Sequence, residues 1–125
     1  MNTVVKLLVL LPAILFLVTG MRWLVAPAEI APNFGLTLSD SIGLSSQIGN
    51  MTGFFLTLGS CMLIALISER RSWYYPPMML LAITALGRIL AWLLHDATLA
   101  VSQITVEVVV ALVLLLASRR LPQER

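Results

Sequence analysis

Four runs of about 20 apolar residues, the length a helix needs to cross roughly 30 Å of hydrocarbon, fill most of this 125-residue chain. Their limits are about 4–24, 46–67, 75–95 and 100–118. The chain is 59% hydrophobic and 11% charged, where a soluble domain carries roughly a quarter charged residues. No internal repeat or low-complexity linker divides it, so residues 1–125 are read as one domain. The expected fold is all-α: a polytopic membrane protein, a four-transmembrane-helix antiparallel bundle with a structured outer loop between helices 1 and 2.

The formal charge of +2 comes from a few terminal and loop residues. Lys6, Arg70, Arg71, Arg119, Arg120 and Arg125 fall on one side of the four spans, and only Arg22 lies at the opposite boundary. That asymmetry reflects topology, with both termini cytoplasmic by the positive-inside rule, and it gives no nucleic-acid surface. Trp73, Tyr74 and Tyr75 are expected at the inner interface, Trp23 and Trp92 at the outer one.

The first span, LLVLLPAILFLV, is followed by APAE at 26–29, which has the form of a signal peptide and its cleavage site. Arg22 and Trp23 interrupt the path to that site, so an uncleaved span is expected, bent at Pro12. The connection LVAPAEIAPNFGLTLSDSIGLSSQIGN is punctuated by Pro27, Pro32, Gly35, Gly43 and Gly49, so it is not one continuous helix. Ile30, Phe34, Leu36, Leu38, Ile42 and Leu44 would be poorly placed in water, and we expect this segment to fold over the outer mouth of the bundle or to lie in the headgroup region.

Arg88 interrupts the third span and Glu107 the fourth. A guanidinium stays charged and needs acceptors wherever it is placed. Each residue lies seven positions from the outer end of its span, about 10 Å inside the boundary, and the short link DATL makes the two helices antiparallel neighbours. Charges at this depth face the bundle interior and pair, so an Arg88–Glu107 ion pair is expected. Gln103 lies one turn from Glu107 and Thr84 one turn from Arg88. Asn50, Gly53, Thr57 and Ser60 draw a small and polar stripe on the second span, with Thr19 closing the ring and Gly87 and Ala91 allowing close helix approach. The candidate ligand-binding or polar cluster is therefore Arg88, Glu107, Gln103, Asn50, Thr57, Thr84 and Trp92, with Phe54, Trp92 and the first span as walls. Interhelical adhesion alone accounts for the same residues equally well.

Other chemistry finds little equipment. His95-Asp96 has no second histidine to build a metal site. GSC at 59–61 lacks the second glycine of a nucleophile elbow. Cys61 is the only cysteine, which excludes an internal disulfide and a CxxC pair. No metal site and no catalytic residues are expected.

RWLVAPAEIAPNFGL, QIGNMTGFFLTLG, GRILAWLLHD and VEVVVALVLLLASRR together resemble a family of small bacterial four-span membrane proteins of unknown function, more distantly similar to DoxX-like proteins. The resemblance implies a four-helix bundle in a bacterial inner membrane, with an arginine and an acid at the positions of Arg88 and Glu107. It implies no agreed activity. The quinone-coupled sulfur oxidation linked to DoxX relatives is not carried over, because this chain has no cysteine pair or redox motif. The leading expectation is a non-enzymatic membrane protein that binds membrane lipid, a quinone or another amphiphile near Arg88, alone, as a homo-oligomer or within a larger membrane complex. Proton or ion translocation through Glu107 is the second reading, and a DoxX-like quinone-linked redox protein the third.

Overall fold

The computed structural model describes residues 2–122 and is built of helices, with no strand among the described residues. In chain order these are α1 (Thr3–Val25), α2 (Pro27–Ile30), α3 (Ser41–Ser68), α4 (Tyr75–His95) and α5 (Val101–Arg119), with 3-10 turns at Ala31–Phe34 and Arg71–Tyr74. The helices α1, α3, α4 with the turn before it, and α5 are long and apolar enough to cross a membrane. Arg125, counted above among the cations of one side, lies outside the described residues.

The expected span limits hold to within one residue except at the start of α3, which begins at Ser41 and not near 46. Gly43 and Gly49, read as breakers, lie inside this helix. A glycine costs a helix only about 1 kcal/mol relative to alanine, and the start of α3 is held from outside. The Gln47 Oε1 accepts from the Ser39 amide at 2.8 Å and its Nε2 donates to the Thr37 carbonyl at 3.1 Å. The loop proper is thereby shortened to residues 26–40. The helix α1 runs unbroken through Pro12.

Lys6 Nζ, near the start of α1, lies 3.7 Å from Glu69 Oε1, just past the end of α3, so these helices run antiparallel. They share the most extensive interface in the bundle, and α4 packs chiefly on α5; the α1–α5 and α3–α4 seams are slighter. Close approach of α1 and α3 depends on two glycines. A Cβ on Gly59 would fall 2.8 Å from the Ala13 carbonyl oxygen, and one on Gly20 would fall 2.9 Å from Leu56 Cγ. The glycines expected to serve this purpose, Gly53 and Gly87, have nothing within 4 Å of such a Cβ.

Two aromatic rings expected at the interfaces face the core and not the surface. Trp23 and Tyr74, read as interfacial, are both 0% exposed. The connection folds back over Trp23, so that Phe34 meets its ring at 5.8 Å. Tyr74 enters the opposite end of the bundle from the 3-10 turn that packs against α3, α4 and α5. Along the connection Ile30 is buried and Phe34, Leu36 and Leu38 pack on the core, as a covering segment requires, but Ile42 is 80% exposed.

The bundle is not packed evenly along its length. Buried residues run along the whole of α1, from Val5 to Trp23. On α4 they are Pro77, Leu81 and Ala85, all in its first half. Beyond Ala85, toward the end covered by residues 26–40, α4 buries no residue. The ion pair lies at the edge of this looser half.

Candidate functional site

Arg88 and Glu107 meet across the α4–α5 interface. The Arg88 Nε donates to both Glu107 carboxylate oxygens, each at 3.1 Å. Glu107 has a side chain only 10% exposed, whereas that of Arg88 is 31% exposed. Such a contact relieves the desolvation of each charge, although an apolar core of similar volume can be as stable. It engages only part of the arginine. Neither Nη group donates a hydrogen bond to any described residue.

Arg88 lines two adjoining recesses, the two mouths of the site. One mouth, with a volume of about 270 Å³, lies between α1 and α5 and is lined by Leu15, Phe16 and Thr19 on one side and Gln103, Val106 and Glu107 on the other. A second mouth, of about 450 Å³, lies between α3 and α4 and is lined by Asn50, Met51, Thr84, Gly87 and Ala91. Phe34, Phe54, Phe55 and Arg88 line both. The two mouths therefore flank a single aromatic cluster with the guanidinium beside it. Gly87 leaves this region open, since a Cβ there would meet nothing.

The aromatic wall is continuous. The Phe55 ring centroid is 5.5 Å from that of Phe34, 5.9 Å from that of Phe16 and 5.0 Å, edge-on, from that of Phe54. Spacings of this kind are those of favourable tilted and edge-to-face pairs. Phe34 joins the set because Gly35, at φ 68°, caps the 3-10 turn in a left-handed conformation and turns the chain back toward α3. The site thus combines apolar and aromatic walls with a few polar groups, as small-molecule pockets do.

The structure brings Arg88, Glu107, Gln103, Thr84 and Asn50 to the cavity but leaves out Thr57 and Trp92. Thr57 is exposed and lines neither mouth. The Trp92 side chain, expected as a wall, is on the outward surface with 45% exposure. The stripe Asn50, Gly53, Thr57 and Ser60 is exposed throughout, because α3 buries Phe55, Leu58, Gly59, Met62 and Ala65 instead. Of that stripe only Asn50 reaches a mouth of the cavity. Sequence reasoning missed Phe55 and Leu81 as lining residues and reached Phe16 only as part of the first span. Their signal was an apolar side chain at the right depth, which most neighbouring positions share.

Other hydroxyls near the site are turned to their own helices. Thr84 Oγ1 donates to the Leu80 carbonyl at 2.6 Å and Thr19 Oγ1 to the Leu15 carbonyl at 2.8 Å. Gln103 Oε1 accepts from Ser102 Oγ at 3.1 Å. Comparison with protein-family models, curated proteins and solved structures finds no match to this chain.

Proposed function

We propose that this protein is a non-enzymatic integral membrane protein that holds a membrane amphiphile, a lipid or a quinone, in the cavity beside Arg88. The single observation that carries the reading is the half-engaged guanidinium: Nε is bound to Glu107, neither Nη group is bonded to a described residue, and Arg88 lines both mouths of an aromatic-walled site. Arg88 meets the head of the ligand, Glu107 holds Arg88 in place, and the apolar tail leaves between helices into the bilayer. The covering segment at residues 26–40 closes the site from the adjacent aqueous side.

The cation distribution supports an orientation with both termini in the cytoplasm and the cavity in the outer half of the bilayer. The resemblance to the DoxX-like four-span proteins supports a bacterial inner membrane as its location. A role as one subunit of a homo-oligomer or of a larger membrane complex is compatible with the apolar outer faces of all four long helices. Translocation of ions or protons is less well supported, because beyond Glu107 the bundle is closed by Leu58, Met62, Leu81, Val110 and Leu114, all buried.

The test is mass spectrometry of the solvent extract of the purified protein. One class of amphiphile should be enriched over the bulk membrane, and Val106→Trp, a change at a half-exposed position that fills the α1–α5 mouth, should lose it. An extract with the composition of the bulk membrane in both proteins would refute the proposal.

A further inference from the structure

The bonding pattern of Arg88 and Glu107 bears on the charge of a head group that could sit beside it. Building on the amphiphile-binding reading above, we infer that the ligand is a single-chain amphiphile with an uncharged, hydrogen-bond-accepting head, a ketone or ester carbonyl, and that the site discriminates against acids and phosphates.

The charge of the guanidinium is already met. Both Glu107 oxygens accept from Nε at 3.1 Å, and that carboxylate is 10% exposed. The pair is electrically neutral. An anion entering beside it would be the second negative charge on one cation, and it would give up its hydration for a site whose total charge is then negative. Desolvation of that kind is not repaid unless each charge is matched. An uncharged head loses far less on leaving the headgroup region.

What the Arg88 fork offers is donors. Arginine has five N–H groups and no acceptor, and here only Nε is used within the described residues. Gln103, which lines the α1–α5 mouth, accepts from Ser102 Oγ through Oε1, and its amide N–H groups have no acceptor among the described residues. Two planar Nη groups fit one or two carbonyl oxygens. The mouths, about 270 and 450 Å³, have room for a compact head and one chain, and the Phe34, Phe54 and Phe55 rings suit an apolar body next to that head.

The experiment compares two photoreactive probes of equal chain length, a diazirine-bearing long-chain methyl ketone and the corresponding alkyl sulfonate, whose charge does not titrate. Each is cross-linked to the full-length protein in neutral-lipid nanodiscs, and the labelled residues are read by peptide mass spectrometry. Labelling at Phe54, Phe55, Leu81 or Val106 should be at least about ten-fold greater with the ketone. In Glu107→Gln the pair carries a net positive charge, so the preference should reverse toward the sulfonate. Stronger cavity labelling by the sulfonate in the wild-type protein overturns this inference and leaves the pocket standing. Labelling of the cavity by neither probe overturns the pocket reading and this inference together. Should Glu107→Gln fail to fold, the wild-type comparison decides alone.

Discussion

Arg88 binds Glu107 by its Nε, 3.1 Å from each carboxylate oxygen, so the acid is spent on one nitrogen and neither Nη group is bonded to a described residue. The usual fork-to-fork arrangement of arginine and carboxylate uses two nitrogens. Here the acid fixes the position of the arginine without occupying the groups best suited to a ligand.

Removing the charge of Glu107 leaves that guanidinium uncompensated within the membrane. Breaking a buried pair costs roughly 3–5 kcal/mol, and the partial exposure of Arg88 puts the expected loss at the lower end. Glu107→Gln should therefore melt well below the wild-type protein in detergent, while Val109→Leu, at a 52% exposed position on the same helix, should not. Equal melting temperatures for the two variants would show that the pair contributes nothing to stability.

The α1–α3 interface gives a second contrast. Gly59→Ala would push a methyl against the Ala13 carbonyl oxygen, a backbone atom that cannot turn aside. Overpacking of this kind costs about 1–3 kcal/mol. Gly53→Ala and Gly87→Ala meet open space, and the higher helix propensity of alanine should make both neutral or slightly stabilising. Thermal denaturation of the three proteins in one detergent measures the difference. A Gly59→Ala protein as stable as the other two would mean that the helices separate without cost.

The helices and the ion pair were legible in the sequence because length and depth are one-dimensional quantities. Twenty apolar residues make a span, and Arg88 and Glu107 sit at equal distances from a short turn. The rotation of each helix about its axis was not legible. A soluble helix is phased by its apolar stripe, but on α3 apolar side chains occur all round, from buried Leu58 and Met62 to exposed Ile64 and Ile67. Placing polar residues inward phased α3 by Asn50, Thr57 and Ser60, and the packing phases it by Gly59 and Phe55, which meet α1 and the covering segment. Trp23 and Tyr74 show the same limit: interfacial depth is common to a ring that faces lipid and one that faces the core.

Topology is open to direct test. A reporter fused after Arg125 should be active only in its cytoplasmic form, and one inserted between residues 35 and 40 only in its periplasmic form. A C-terminal fusion active only in the periplasm would invert the bundle, and the cavity would then open in the inner leaflet.

Arg88→Lys separates a binding role from adhesion between helices. Lysine keeps the positive charge and can still meet Glu107, so a residue needed only to neutralise that acid should tolerate the change, with a melting temperature close to that of the wild-type protein. Lysine lacks the planar fork, however, and its one ammonium cannot both satisfy Glu107 and present two further donors to the cavity. The expected outcome is an intact fold with the retained amphiphile reduced roughly ten-fold, a loss of about 1.4 kcal/mol in binding, measured by mass spectrometry of extracts from equal amounts of the two purified proteins. A wild-type complement of amphiphile in the lysine variant would show that the Nη groups make no contact with it. A reduced melting temperature with an unchanged extract would instead return Arg88 to a purely structural role.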